Sequence, residues 1–263
     1  MLIKLFSDKK LHKVDIDSPE RIVTHRKILN KKKMIKDVFL EFHENFLTTE
    51  KKYFKIDGLR VELGAGVFPI KFTDKKILAS DVIESKENDL VINAEKMDFK
   101  KNTVKTFFLQ NVFHHFANPD KFFREADRTI KEGGGIIMIE PYYNFISKIL
   151  YKNISNNEFF DINQTSWTQQ EAKAMSGANQ ALAHNIFVRD KVLFTKKYKN
   201  FEIVEIRPLN NYLRYILSGG LNFKQLFPNS LSFILKIIEF ILKPFNKFFS
   251  IHYIIVIKKK GSV

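Results

Sequence analysis

The chain contains no cysteine, which excludes disulfide bonds, zinc–thiolate sites and cysteine-based catalysis. It also lacks a long clean apolar run. The most apolar segment, residues 230–249, is interrupted by charged residues and Pro244, so we expect no membrane-spanning helix there. The first ten residues lack the apolar centre of a secretory signal, and we therefore expect a cytoplasmic location.

Acidic residues are few compared with basic ones, since 44 Lys or Arg stand against 29 Asp or Glu and give a net charge of +15. Residues 58–140 are neutral, whereas residues 141–263 carry 17 basic against 7 acidic side chains. A basic flank can attract nucleic acid, anionic lipid or an acidic substrate, although abundant Lys, Asn, Ile and Phe also fit a compositional bias of the genome. A chain of 263 residues can bury one substantial core, and we expect one structural domain.

The most informative segment that is present reads Val-Glu-Leu-Gly-Ala-Gly, at residues 61–66. It predicts a strand that ends at Glu62 and then turns sharply through Gly64 and Gly66, which have no Cβ to obstruct a ligand. Ligands of open α/β sheets bind at this position, at the carboxyl ends of the strands.

Two cofactors compete for this turn. A dinucleotide fingerprint needs a third glycine where Pro69 stands, and it has no need of an acid at position 62. S-adenosylmethionine (SAM) fits better, because its ammonium and ribose hydroxyl groups favour acidic partners. A second short strand, residues 76–81, ends at Asp81, whose carboxylate can accept hydrogen bonds from two ribose hydroxyls.

Further strands are predicted at residues 89–93, 104–111 and 136–139. A helix should begin with Asn118 as its N-cap and Pro119 in its first position, and it should end at the glycines of residues 133–135.

Taken in order, these segments resemble a class I SAM-dependent methyltransferase, and more narrowly the type 11 group. The resemblance rests on VELGAG (61–66), Asp81, NAEKMDF (93–99), NVFHHF (111–116), RTIKEGG (128–134) and IIMIEP (136–141). It covers residues 58–145 and implies an α/β, Rossmann-like sheet of seven strands, mostly parallel, closed by an antiparallel hairpin. We place the strands of that hairpin at 201–207 and 251–258. Residues 175–182, 187–190 and 215–220 also resemble segments of a bacterial subgroup of unassigned substrate.

The resemblance implies a SAM site made by residues that follow the first four strands. They are Glu62, Gly64, Ala65, Gly66, Asp81, Ala94, Glu95 and Asn111. The chain departs from the family because Phe68 replaces a frequent glycine and the first two crossovers are short. We therefore expect the first crossover helix to be about one turn and the second to be missing. The adenine side of the cofactor would then be open, or covered by the amino-terminal helix.

The same resemblance places His114 and His115 near the transferred methyl group, as candidate general bases, although a structural role for either is an alternative. It implies no metal ion. Residues expected to bind the acceptor follow the fifth strand or lie in the insertion after it. They are Glu140, Tyr142, Tyr143, Trp167, Asn179 and His184.

Four segments are expected within the single domain. They are a helical extension (1–57) with one long helix from Ser18 and Pro19, the SAM-binding core (58–145), a substrate lid (146–200), and closing strands with an apolar helix (201–263). The polar residues of that last helix occupy a narrow arc, so it packs in the core, forms a homodimer contact or lies against a membrane as a peripheral protein does.

The function that these features predict is methyl transfer to a small-molecule acceptor, such as a sugar, a glycolipid or a lipid-linked compound. A nucleic-acid substrate is disfavoured, because residues 110–113 read Gln-Asn-Val-Phe and not the Asn-Pro-Pro-Tyr type of motif used on base amino groups. A non-catalytic scaffold that binds SAM is a third hypothesis.

Overall fold

A computed structural model describes residues 8, 11–154, 158–170 and 172–261. Residues 1–7, 9 and 10 of the predicted helical extension, residues 155–157 and 171 of the predicted lid, and residues 262 and 263 of the closing segment lie outside this description. In the described part of the chain seven strands form one sheet, in the order β3-β2-β1-β4-β5-β7-β6. Strands β1 to β5 pair in parallel, whereas β7 is antiparallel to both β5 and β6.

The strands are β1 Leu59–Leu63, β2 Leu78–Asp81, β3 Leu90–Val91, β4 Val104–Gln110, β5 Ile130–Pro141, β6 Phe201–Pro208 and β7 His252–Lys259. The helices are α1 Pro19–Lys31, α2 Lys33–Tyr53, α3 Pro119–Thr129, α4 Phe145–Ile154, α5 Leu182–His184, α6 Lys191–Lys197, α7 Tyr212–Leu217, α8 Ser232–Leu242 and α9 Asn246–Phe249. A π-helical turn, Asn185–Arg189, continues α5.

The sheet is buried on both faces, as a mainly parallel sheet requires. One face packs on α3 and on the segment that holds α5 and α6, around Phe113, Phe123 and Phe187. The other face packs on α2, around Phe42 and Phe46. Both closing strands contribute to these two cores, so the amino-terminal helices and the carboxyl-terminal strands belong to the same folded unit as the predicted SAM-binding segment.

The short crossovers have the predicted form. A single 3₁₀ turn, Ile70–Phe72, joins β1 to β2, and no helix lies between β2 and β3 in the part of the chain that the structure describes. Neither crossover therefore supplies a helix that covers the carboxyl ends of β1 and β2.

The prediction that glycines 133–135 end the preceding helix is wrong. Helix α3 begins as predicted, with the side chain of Asn118 accepting from the amide of Lys121, but it ends at Thr129. The glycines lie within β5, where the register against β4 shifts in a bulge. A Cβ on Gly135 would stand 2.1 Å from the carbonyl oxygen of Ile257, so the neighbouring strand demands glycine there.

The single long amino-terminal helix is also a wrong prediction. The chain leaves the helical conformation at Lys32, with φ −104° and ψ 83°, and this residue separates α1 from α2. The Nζ of Lys32 donates to the carbonyl oxygen of Gly220, 2.9 Å away. On the other side of this break, Arg26 of α1 donates to the carbonyl oxygen of Gly66, in the turn after β1.

The predicted apolar helix in residues 230–249 forms as α8, a 3₁₀ turn at Lys243–Phe245 and α9. Core packing, one of its three expected roles, does not describe it, because Leu235, Glu239 and Asn246 are its buried residues and most of its apolar side chains are exposed. Glu239 is 1% exposed and accepts from Arg214, whereas Phe240 is 72% exposed. No helix among the described residues has the length and apolar character to cross a membrane.

Candidate active site

A cavity of about 1440 Å³ lies at the carboxyl ends of β1, β2 and β4. Its floor is the turn that follows β1, and most of its walls come from five parts of the chain. They are residues 11–25, residues 93–95, residues 110–117, several residues between 150 and 180, and residues 215–226. Ligand pockets commonly measure about 300–1,000 Å³. This cavity therefore has room for more than one small molecule.

The turn after β1 is shaped by its two glycines. Gly64 has φ +69° and Gly66 has φ +53°, both in the left-handed region that other residues avoid. The amide of Ala65 donates to the carbonyl oxygen of Ser80, which ties the turn to β2. A Cβ on Gly64 would stand 2.4 Å from Cγ2 of Val112. Glycine is thus required at position 64 because φ is positive and because Val112 leaves no room for a Cβ.

Glu62 lines the cavity but is only 2% exposed. One of its carboxylate oxygens accepts from the amide of Ile70, at 2.7 Å. Burial raises the pKa of this carboxyl well above its ordinary value. Glu62 therefore fixes the single-turn crossover as well as facing the cavity.

Asp81 lies at the end of β2, and each of its carboxylate oxygens accepts one backbone amide. Oδ2 accepts from Gly66 at 3.0 Å, and Oδ1 accepts from Ile83 at 3.0 Å. Each oxygen retains capacity for a second hydrogen bond. Burial raises the pKa of the Asp81 carboxyl. The two amides hold the carboxylate against the glycine turn, facing the cavity.

The remaining predicted cofactor residues also line the cavity. Ala94 is buried, and Oε1 of Glu95 accepts from the amide of Asn118 at 2.7 Å. Asn111 has an unusual positive φ of 54°, and its Oδ1 is buried without a partner, as is Oε1 of Gln110. Two unsatisfied acceptors beside a glycine turn suit a ligand that carries hydrogen-bond donors, as the ammonium and hydroxyl groups of SAM do.

The sequence comparison agrees with this geometry. Residues 62–138 match the family model described as a methyltransferase domain. The segment is a methyltransferase domain of the type 11 family. The predicted fold, the enzyme class and SAM as the cofactor are confirmed at this level. No curated protein matches the chain.

Solved structures resemble the methyltransferase in fold. Geranyl diphosphate C-methyltransferase from Streptomyces coelicolor A3(2), crystallised with Mg²⁺, geranyl diphosphate and S-adenosyl-L-homocysteine, has a TM-score of 0.52 and 12% identity. The match covers 97% of this chain and 90% of that one. A SAM-dependent methyltransferase from Archaeoglobus fulgidus has a TM-score of 0.48 and 14% identity, over 84% of this chain and 94% of that one. At such identities the likeness concerns the fold alone.

His114 and Glu140 form a buried pair at the edge of the cavity. Nδ1 of His114 donates to Oε2 of Glu140 at 2.6 Å, and Oε1 of Glu140 accepts from the amides of Val112 and Phe113. Burial lowers the pKa of His114, but Glu140 and then Glu158 outweigh burial and raise it to about 10. His114 is therefore held as an imidazolium at neutral pH.

His115 is more accessible than His114. It contacts Glu158, a carboxylate of the insertion. Its Nδ1 faces the carbonyl oxygen of Lys173 at 3.1 Å, and since a carbonyl can only accept, that nitrogen carries a proton. Its Nε2 lies 3.2 Å from Oε1 of Glu158. Burial raises the pKa of Glu158, but His114 and His115 outweigh it and lower the pKa.

Ligand atoms of His114, His115 and Glu158 lie within 4.8 Å of one another, a spacing that could hold a metal ion. The two histidine–carboxylate contacts already explain this cluster, since they compensate the charge of Glu158. Glu158 of the insertion is thus held by the rings of His114 and His115, which follow β4.

The raised pKa of His114 makes the free energy of unfolding depend on pH. The folded state favours the imidazolium, so this contribution is complete below the unfolded pKa of about 6.5 and disappears as the pH rises to about 10. Urea denaturation across this window should show a loss of stability in the native chain that the variant His114→Gln lacks. Identical pH profiles for the two proteins would contradict the charged state of His114.

The structure does not bring the six predicted acceptor residues to the cavity. Glu140 is fully buried behind His114, and Tyr142 packs on Tyr253. Tyr143 contacts the ring of His184, with their centroids 4.8 Å apart.

The two remaining acceptor predictions are held inside the insertion. Trp167 donates through Nε1 to Asp190, and the side-chain amide of Asn179 donates to the carbonyl oxygen of Asp161. Both side chains are held by contacts inside the insertion, and their part in acceptor binding stays a prediction.

The amino-terminal helix covers the cavity, which is one of the two alternatives that the short crossovers predict. Arg21 and His25 on α1 line the cavity, and both side chains contact Oδ1 of Asn222 in the loop after α7. Arg26 donates to the carbonyl oxygens of Gly66 and Val67. Helix α1 thus covers the glycine turn that the short crossovers leave open. The only sequence signal in the loop was the pair Gly219–Gly220, both with positive φ.

Proposed function

We propose that the methyltransferase transfers the methyl group of SAM to an oxygen or nitrogen of a small-molecule acceptor inside the cavity under α1. The observation that supports this most is the carboxylate of Asp81, fixed by the amides of Gly66 and Ile83 beside the glycine turn. The size of the cavity, about 1440 Å³, suits a cofactor together with an acceptor.

In this proposal Asp81 accepts the ribose hydroxyls, and the turn of Gly64, Ala65 and Gly66 allows close approach. Glu62 and the unpaired oxygen of Asn111 face the amino acid part of the cofactor, and Ala94 and Glu95 lie at its adenine. The bound cofactor supplies a methyl group activated by a sulfonium leaving group. The work of the chain is then to align the acceptor and to exclude water, which the cover of α1 supports.

A hydroxyl acceptor also needs a group that takes its proton. Of the two predicted bases, His115 suits this role better, because the two carboxylates beside His114 hold that ring protonated. The carbonyl oxygen of Lys173 fixes Nδ1 of His115 as a donor, and a proton taken up by Nε2 would be held by Oε1 of Glu158, 3.2 Å away. His114 then acts as a positioning residue for Glu158.

The acceptor we propose has an apolar part, such as a glycolipid or a lipid-linked sugar. Much of the cavity away from the glycine turn is apolar, with Leu150, Ile216 and Leu226 in its walls. Arg21 adds a cation to the same walls, although its guanidinium is occupied by carbonyl and amide oxygens.

Calorimetric titration with SAM, S-adenosylhomocysteine and NAD tests the cofactor site. We expect the first two to bind and NAD not to bind. Asp81→Ala should weaken SAM binding by about 10–100-fold, because a hydrogen bond to a charged group contributes about 1.5–3 kcal/mol. The control is Asp98→Ala, an exposed carboxylate. Unchanged SAM affinity in Asp81→Ala would overturn the ribose assignment, whereas SAM binding without turnover on any acceptor would favour the scaffold hypothesis.

A further inference from the structure

An exposed apolar surface lies at the carboxyl-terminal end of the chain. Among the described residues 22 large apolar side chains are exposed, and ten of them fall within residues 226–248. Single exposed apolar residues are normal on a soluble protein, but such clustering within one short segment is typical of an interaction surface. We call this the C-terminal apolar surface, and its most exposed members on α8, the following 3₁₀ turn and α9 are Phe233, Ile237, Phe240, Ile241, Phe245 and Phe248.

The orientation of α8 is fixed by an ion pair on its inner side. Arg214 on α7 donates from its backbone amide and its Nε to the two carboxylate oxygens of Glu239, at 2.9 and 2.6 Å. The same guanidinium binds both oxygens of Glu41 on α2, at 2.8 and 2.7 Å. Rolling α8 over to bury its apolar face would break these charged hydrogen bonds. The apolar face therefore points outward in the native fold.

The exposed charge of the segment that carries this surface is positive. Lys236, Lys243 and Lys247 are exposed beside the apolar side chains, and Lys236 also pairs with Glu41 on α2 at 3.2 Å. The one acidic residue of residues 221–250 is Glu239, and it is buried against Arg214. An apolar face with interspersed lysines is complementary to a bilayer that contains anionic headgroups.

A second copy of this chain is a poorer occupant. The core of a homodimer interface is depleted in lysine, and a two-fold contact would bring the same lysines of both copies together. Like charges across an interface are unfavourable. A bilayer with anionic headgroups can bind the apolar side chains and the lysines at the same time.

The surface continues onto the cavity walls. Helix α4 packs beside α9, and Phe145 and Ile149 on α4 are 77% and 50% exposed. Leu150 and Tyr151 of the same helix line the cavity, as does Leu226, which is itself exposed and precedes α8. The elements that carry the apolar surface are thus also elements of the cavity wall.

We propose that the C-terminal apolar surface binds the interface of a membrane that contains anionic lipids, with α8 and α9 lying in its plane. The docking itself does not depend on the proposed methyl transfer. Its consequence for the substrate does rest on that function, because a docked enzyme would take an acceptor with an apolar chain directly from the bilayer.

The test is co-sedimentation of the full chain with vesicles, either of phosphatidylcholine alone or with phosphatidylglycerol added. We expect binding to the vesicles that contain phosphatidylglycerol, weakened by salt. The double variant Phe240→Gln/Ile241→Gln should bind at least about tenfold more weakly, because each side chain contributes by burial in the interface. The matched control is Val192→Gln/Leu193→Gln, an exposed apolar pair on α6 that lies outside the surface.

Titration with SAM in the same variants separates this proposal from the proposed function. The Phe240/Ile241 variant should keep native SAM affinity, which also shows that it is folded. Absence of vesicle binding by the native chain, or equal binding by both double variants, would overturn the membrane surface and leave the cofactor site untouched. A native mass of two chains in sedimentation equilibrium, reduced to one by Phe240→Gln/Ile241→Gln, would replace the bilayer with a homodimer.

Discussion

Gly64→Ala should reduce the affinity for SAM by at least about thirtyfold while the sheet stays folded. An alanine at a left-handed position costs about 1–2 kcal/mol, and overpacking of a filled site costs about 1–3 kcal/mol more. At this position both costs apply, since φ is +69° and the new Cβ would stand 2.4 and 2.8 Å from the two Cγ atoms of Val112. The turn can relieve the clash only by moving away from the place where the cofactor binds. Calorimetric titration measures the loss.

Two further variants decide whether the steric contact is the cause. Gly66→Ala has a similar φ of +53° but no atom nearer than 3.7 Å, so only the cost of the backbone angle applies and we expect about a 5–30-fold loss of affinity. Gly64→Ala/Val112→Ala removes both Cγ atoms and should regain part of the lost affinity, with Val112→Ala alone as its control. Equal effects of the two single glycine variants would show that the backbone angle, and not Val112, sets the requirement.

The largest loss of stability is expected for Glu140→Ala. This side chain is fully buried and accepts from the amides of Val112 and Phe113 and from Nδ1 of His114. Its removal leaves these donors, and the charge of His114, without a partner in the interior. Breaking a buried ion pair in this way costs about 3–5 kcal/mol, which urea denaturation would measure as a lower free energy of unfolding.

Glu140→Gln is the matched control, because its amide oxygen can still accept from the two backbone amides while the charge is removed. We expect a smaller loss than for alanine, together with a lower pKa of His114 in a nuclear magnetic resonance titration. A Glu140→Ala protein as stable as the native chain would mean that the segment after β4 is held by its aromatic packing alone.

The residues that we propose to bind SAM could be brought to one place from the sequence alone. A strand that ends in Glu62 and a glycine turn, followed by a strand that ends in Asp81, puts both acids at one edge of a parallel sheet. This relation is local, because it depends on two short strands and a single-turn crossover. The eight predicted cofactor residues accordingly all line the cavity.

The acceptor half could not be predicted in the same way. Its walls come from α1, from the insertion and from the loop after α7, and they are held together by contacts between residues far apart in sequence. Arg21 reaches Asn222, and Asp17 accepts from the amide of Met175. Hydrophobic periodicity carries no information about such polar contacts, so the predicted acceptor residues rest on the resemblance alone, with three after the fifth strand and three in the insertion.

The sequence by itself determined the class of fold, the cofactor and the apolar character of residues 230–249, because each depends on a residue pattern within a short window. Only the tertiary structure decided the direction in which that apolar helix faces. The helical period of the apolar residues is the same whichever side of the helix is buried. The buried side is fixed by Glu239, which pairs with Arg214, and Arg214 in turn pairs with Glu41. A buried ion pair between distant elements turned the apolar side toward the outside of the protein.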